Sequence, residues 1–245
     1  MQIDVAEIFY SLQGEGTTRG TPAIFIRLVG CNLTCGVQSN ICEASKATWV
    51  CDSYKLWHEK TLSFSNEQLL DYIADLVGLE SIKNRTVHLV WTGGEPCLPK
   101  NEEMIISFLT FLGDKGIFPF SEMETNGTIL PSEQLLSRLN LINCSPKLSN
   151  SGIKDSIRIN KDFLARATMK FYFKFVVTEE KHWAEIEKDF LPHIRKSSII
   201  LMPGMDHLGE DTMKISQSVW NLAQREKVLF STREQITVWN KLTGI

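Results

Sequence analysis

Nowhere in these 245 residues does an uninterrupted apolar run approach the roughly 20 residues that cross a bilayer, so no membrane partner is expected. Positive charge is not in surplus either: 26 Lys and Arg stand against 29 Asp and Glu, a formal charge of −3. The basic footprint that grips a phosphate backbone is missing, which argues against a nucleic-acid partner and for a small molecule. The opening residues Met1, Gln2, Ile3, Asp4 and Val5 show neither a basic n-region nor an apolar h-region, and predict a cytoplasmic, reducing setting without a signal peptide. There is no internal repeat, low-complexity tract or linker rich in Pro, Gly and Ser, so a single domain over 1–245 is expected.

Strand-like and helix-like segments alternate along the chain. Ala23, Ile24, Phe25, Ile26, Arg27, Leu28 and Val29 form a nearly continuous apolar run, the pattern of a strand covered on both faces. Ser65 with Gln68 is a capping-box signal ahead of Leu69, Leu70, Ile73, Leu76 and Val77 at helical spacing. A β-rich run from Thr86 through Trp91 stops at Gly93 and Gly94. Further helices are predicted around 101–113, 131–139, 179–190 and 210–226, and further strands around 118–124, 140–144, 170–177 and 197–202. Strands spaced by helices predict an α/β fold with a mainly parallel sheet. Residues 30–62 fit neither pattern, and a structureless stretch of that length in a compact domain is usually functional.

That stretch holds four of the six cysteines, Cys31, Cys35, Cys42 and Cys51, separated by three, six and eight residues. In a reducing compartment such crowding points to metal or catalysis before disulfides. None of the spacings is the short pair that tight zinc knuckles favour, although a four-cysteine zinc module stays open. Thiolates that converge from a flexible loop also suit an iron–sulfur cluster.

Gly30-Cys31-Asn32-Leu33-Thr34-Cys35 resembles the opening of the cluster motif of radical S-adenosylmethionine enzymes, and Cys51-Asp52-Ser53 resembles its end. On this resemblance Cys31, Cys35 and Cys51 hold a 4Fe-4S cluster whose fourth iron takes S-adenosylmethionine. An insertion then separates the second ligand from the third, and Cys42 within it is the spare. Trp91-Thr92-Gly93-Gly94-Glu95-Pro96 resembles the family segment that receives the methionine amino group, with Glu95 offering a charge to an ammonium. The run Glu7-Ile8-Phe9-Tyr10-Ser11-Leu12-Gln13-Gly14-Glu15-Gly16 is more specific and resembles that of 7-carboxy-7-deazaguanine synthases. Glu124-Thr125-Asn126-Gly127-Thr128, Ser145-Pro146-Lys147-Leu148 and Phe173-Lys174-Phe175-Val176-Val177 match in the same order.

The resemblance implies a partial, compact (β/α) barrel that rearranges 6-carboxy-5,6,7,8-tetrahydropterin to 7-carboxy-7-deazaguanine with loss of ammonia, on the route to queuosine-type deazaguanines. It implies Mg2+ on Ser53, and cofactor contacts from Val50, Asp52, Gly93, Gly94, Glu95, Glu124, Ser145, Pro146, Lys147, Met202 and Pro203. Substrate contacts would come from Leu12, Gln13, Gly14, Glu15, Arg27, Thr92 and the C-terminal Ile245. A reducing electron donor such as flavodoxin is implied, and a homodimer is allowed. Arg27 supports this independently, because a guanidinium inside an apolar run needs a partner and a substrate carboxylate would supply one; a protein carboxylate is the other option. A different radical enzyme such as a glycyl-radical activator would share the cysteines but has no use for a pterin clamp. Residues 231–236 lack the Arg-Leu-His associated with this end of the family. His88 reads as a satisfied core imidazole, and Phe171, Phe173 and Phe175 as the core face of a strand.

Overall fold

A computed structural model describes residues 2–54, 61–205 and 208–240. Among these, nine strands form one sheet in the order β3-β1-β2-β4-β5-β6-β7-β8-β9. The strands are β1 (Ile3–Leu12), β2 (Pro22–Leu28), β3 (Leu62–Phe64), β4 (His88–Gly93), β5 (Ser121–Thr125), β6 (Leu141–Cys144), β7 (Phe171–Val177), β8 (Ile199–Pro203) and β9 (Leu229–Phe230). From β2 to β9 every neighbour is parallel, while β1 runs antiparallel to both β2 and β3. The sheet does not close, so the expected partial barrel with mainly parallel strands is what the chain adopts. Among the described residues no helix is long and apolar enough to cross a membrane.

Among the described residues the helices are α1 (Asn66–Val77), α2 (Leu79–Lys83), α3 (Pro99–Asp114), α4 (Glu133–Leu136), α5 (Asp155–Arg158), α6 (Lys161–Ala165), α7 (Lys181–Asp189), α8 (Glu210–Glu226) and α9 (Glu234–Trp239), and most follow from local signals. α1 (Asn66–Val77) begins with the anticipated reciprocal cap, the Gln68 N–H donating to the Ser65 hydroxyl at 3.2 Å and the Ser65 N–H to the Gln68 side chain at 2.8 Å. α3 (Pro99–Asp114) starts on proline, whose missing N–H is no loss in a first turn. α7 (Lys181–Asp189) and α8 (Glu210–Glu226) fall where periodicity predicts them. The helix expected over 131–139 contracts to Glu133–Leu136. β1, ten residues long, bears the motif Glu7 to Leu12 and has no strand signal in the sequence, because a register shift between Val5 and Glu7 breaks its alternation.

Period-two alternation gives the sheet two different faces. Ile24, Ile26, Leu89, Trp91, Met123, Ile142, Cys144, Phe171, Phe173, Phe175, Ile199 and Leu201 point outward into the main core. The phenylalanine alternation on β7 is thus a core face, as expected. Their neighbours in sequence line the other face: Ala23, Phe25 and Val90 pack with Phe9 into a small inner cluster, and several of the other inner positions are polar or charged. Those positions are Arg27, Thr92, Glu122, Glu124, Asn143 and Lys174.

Candidate active site

Two irregular segments close on this polar face. At the C-terminal ends of the parallel strands lies the loop after β2, of which residues 30–54 are described, with one 3-10 turn at Ala44–Lys46. From the opposite end the β1–β2 turn, residues 13–21, folds inward, tied by the Gln13 N–H to Thr21 O at 2.8 Å and the Gly20 N–H to Gln13 O at 2.8 Å.

The loop brings Cys31, Cys35 and Cys51 together. The Cys51 N–H donates to Cys35 O at 3.1 Å, and the three thiols pack with Leu33, Cys42, Trp49 and Ile153 in a cluster separate from the main core. The insertion is zipped to residues 148–154: Gly36 N–H to Ser151 O at 3.0 Å, Thr48 N–H to Asn150 O at 2.9 Å, Glu43 N–H to Gly152 O at 2.8 Å and Lys154 N–H to Ile41 O at 3.0 Å. Asn150 is the keystone, accepting from the Trp49 indole at 3.3 Å and donating to Val176 O on β7 at 3.1 Å. All six cysteines are free. Burial pushes the Cys31 thiol up to about 11 and Cys35 up to about 12, while the Lys147 ammonium pulls both down. Without metal these thiols stay protonated at neutral pH; thiolate needs a cation.

Among the described residues no three His, Cys, Asp or Glu side chains converge on one point where a single metal ion would sit. A 4Fe-4S cluster makes a different demand, because each thiolate binds its own iron. Three mutually coupled thiols in an apolar pocket, with a fixed ammonium beside them, suit that group.

Beside the thiols, Asn126 donates to Cys31 Sγ at 3.7 Å and to Asn32 Oδ1 at 3.0 Å. Lys147 donates to Ser145 Oγ at 3.2 Å and lies 5.6 Å from the Trp49 ring centroid, which places Ser145 and Lys147 beside the cysteine loop. Pro146 is buried between them. Met202 and Pro203 end β8 and are apolar and buried, and the Gly204 N–H reaches Val177 O at 2.9 Å.

Glu95, expected to face the methionine ammonium, is enclosed by protein donors. It is fully buried, and its carboxylate accepts from the Thr125 hydroxyl at 2.6 Å, the Asn126 N–H at 2.8 Å and the Cys97 N–H at 2.9 Å. Burial pushes its carboxyl up and these donors pull it back, and the side chain fixes the Thr125–Asn126 corner. Gly93 and Gly94 are likewise required by packing. Gly93 sits at φ 99°, and a Cβ on Gly94 would overlap the carbonyl oxygen of Gly30.

The inner face holds the other expected residues. Gln13, 2% exposed, donates to Glu124 Oε1 at 3.3 Å, and the Thr92 hydroxyl donates to Glu124 Oε2 at 2.7 Å. Arg27 donates to Glu7 Oε2 at 3.2 Å and to Ser53 Oγ at 2.8 Å, and the Ser53 hydroxyl donates to Asp52 Oδ1 at 3.1 Å. A protein carboxylate and Ser53 thus already partner Arg27. Glu15 is held by Lys174, by Arg233 at 3.0 Å and by the Gln235 amide at 2.9 Å. Burial alone would raise its carboxyl, but the Lys174 and Arg233 charges outweigh that and hold it well below the carboxylate range. Burial lowers and Glu15 and Glu124 raise Lys174, which stays protonated. Leu12 and Val50, by contrast, are 57% and 62% exposed and lie outside this network. Ile245 falls outside the described residues.

Several residues here were not read from the sequence. Lys174 carried a usable signal, a charge inside the apolar run of β7 like Arg27 inside β2. Arg233 and Gln235 carried none, since they reach Glu15 across more than 200 positions. His88 is a satisfied imidazole, as expected, but on the inner face and not in the main core: its Nδ1 lies 2.5 Å from Glu122, which also accepts from Thr18 at 2.8 Å and Asn143 at 3.3 Å.

Comparison with models of protein families finds no match. Among curated proteins the chain is 30% identical over 264 residues to the 7-carboxy-7-deazaguanine synthase of Halobacterium salinarum, covering 97% of this chain and 91% of that one. To the protein of the same name from Pyrobaculum aerophilum it is 30% identical over 253 residues, covering 99% and 97%. Among solved structures, that of QueE from Escherichia coli superposes with a TM-score of 0.59 at 23% identity, covering 94% and 93%, a likeness of fold.

Proposed function

This chain belongs to the family of 7-carboxy-7-deazaguanine synthases, enzymes of 7-deazaguanine biosynthesis, and on that premise we propose that it converts 6-carboxy-5,6,7,8-tetrahydropterin to 7-carboxy-7-deazaguanine, contracting the ring with loss of ammonia. The observation that carries this reading is the juxtaposition of three coupled thiols with a buried inner face bearing Arg27, Glu15 and Glu124.

In this reading Cys31, Cys35 and Cys51 hold the 4Fe-4S cluster, while Ser145, Lys147 and the corner built by Gly93, Gly94 and Glu95 receive S-adenosylmethionine, with Met202 and Pro203 alongside. When bound, the cluster and S-adenosylmethionine supply the one-electron chemistry that removes a hydrogen atom from the substrate. The chain's own residues bind, orient and exclude water. Arg27 takes the substrate carboxylate as a bidentate partner, which releases the Ser53 hydroxyl as a hard oxygen for Mg2+. Gln13, Glu15, Thr92 and Glu124 offer donors and acceptors to the polar edges of the pterin. Ile245 is retained as a further substrate contact, and a reducing protein such as flavodoxin as electron donor.

Anaerobically reconstituted protein, incubated with S-adenosylmethionine, a strong reductant and the carboxypterin, is expected to be brown and to form the deazaguanine. Cofactor cleavage without that product would overturn the substrate, and a colourless zinc protein would overturn the whole reading. Arg27→Ala is expected to raise KM for the carboxypterin by about 10- to 100-fold, the worth of a charge-assisted hydrogen bond, with cofactor binding little changed.

A further inference from the structure

Arg233 lies in the stretch where this chain departs from the Arg-Leu-His associated with the family, yet its guanidinium reaches the centre of the site. Nε donates to Glu15 Oε1 at 3.0 Å, Nη2 to Asp52 Oδ2 at 2.7 Å and Nη1 to Met205 O at 3.0 Å. Each bond goes to a different segment: the β1–β2 turn, the residue directly after Cys51, and the loop that follows β8. The Glu234 N–H, donating to Gly14 O at 3.0 Å, and the Gly16 N–H, donating to Ser231 Oγ at 3.0 Å, hold the stretch around Arg233 in register with the β1–β2 turn.

Arg233 also completes a longer chain of polar contacts. Glu7, Arg27, Ser53, Asp52, Arg233, Glu15 and Lys174 follow one another through hydrogen bonds or ion pairs, with opposite charges alternating around the Ser53 hydroxyl. Arg27 stands on one side of Asp52 and Glu15 on the other, so both substrate-side charges are mechanically linked to the residue beside the third thiol. Only a fork can do this at the Arg233 position: the two bonds leave from separate nitrogens of one rigid plane.

We propose that Arg233 is a positioning residue that couples the β1–β2 turn to the cysteine loop, so that a carboxypterin seated on Glu15 and Arg27 fixes Asp52, and with it Cys51, in the geometry productive hydrogen abstraction needs. This rests on the substrate reading above. Coupling of this kind suppresses unproductive cofactor cleavage when the site is empty or wrongly filled.

The test uses the full chain with Arg233→Lys, which keeps the charge and the stem but loses the fork, and with Arg233→Met, which loses both. Two quantities are read: deazaguanine formed per S-adenosylmethionine cleaved, and backbone hydrogen exchange at 13–16 and 50–54 with and without the carboxypterin. In the wild type the carboxypterin is expected to slow exchange in both segments. In the variants it slows exchange at 13–16 only, and product per cleaved cofactor falls, by about tenfold for Lys and approaching 10²-fold for Met, the scale of a small misplacement of reacting groups. A purely structural role would instead lower cleavage and product together. An unchanged product ratio in Arg233→Lys, or ligand-induced protection of 50–54 that persists in it, overturns the inference. Absence of product from the wild type would instead overturn the substrate reading.

Discussion

Cys35 and Cys42 are both buried, both free and packed in the same small cluster, yet only one has the company a ligand needs. The Cys35 carbonyl is bonded to the Cys51 backbone, whereas Cys42 turns its thiol to Ser151 O at 3.6 Å and pairs with Ile153 in an isolated bridge. Cys42→Ala is therefore expected to keep its iron at a cost of about 1 kcal/mol in stability, and Cys35→Ala to lose the cluster; iron content and the visible spectrum decide. The reverse result would remove Cys35 from the ligand set. At this scale the sequence was readable where a residue type violated its surroundings. Arg27 in an apolar strand announces a partner, and Lys174 makes the same announcement on β7. For Glu95 the sequence shows a charge next to two glycines but not that Thr125, Asn126 and Cys97 enclose it.

The start of α7 shows how an element depends on one ring nitrogen. His182 is buried, and its Nδ1 accepts the N–H groups of Thr178 and Glu179 at 3.3 Å each, which satisfies two donors of the turn that leads from β7 into the helix. Burial pushes the imidazole below its ordinary 6.5, with Glu185 and Glu179 pulling the other way. A lowered folded-state value means that the stabilisation is full above 6.5 and is lost as pH falls through the lowered value. The stability advantage of the wild type over His182→Gln is thus expected to shrink from pH 6.5 downward in urea titrations; a gap independent of pH would show that the acceptor role is unimportant. Among elements, β2, β4, α1, α3 and α8 were legible because cap, period and stop signals agree there. β1 was not, because its bulge and polar motif mask the alternation, and β9, two residues long, exists only as an addition to β8.

Over the whole molecule one main core joins residues from β1 to β8 with α1, α3, α7 and α8, while the cysteine loop keeps a small cluster of its own. Read as one domain, the cluster-free chain is expected to lose helix signal and the fluorescence of buried Trp91 in a single coincident urea transition. Thiol labelling at Cys31 and Cys51 should begin at lower urea, because the loop opens without breaking the sheet. Two separated main transitions would divide the chain. The sequence by itself determined the α/β class, the cysteine loop and the family, since periodicity, caps and short motifs are local and survive as strings of residues. Only the tertiary structure decided which face each alternating residue takes, that Glu95 is sealed, and that Arg233 meets Glu15 and Asp52. Those are contacts between residues far apart in the chain, fixed by strand register and by the β1–β2 turn folding onto the inner face, and no local pattern encodes them.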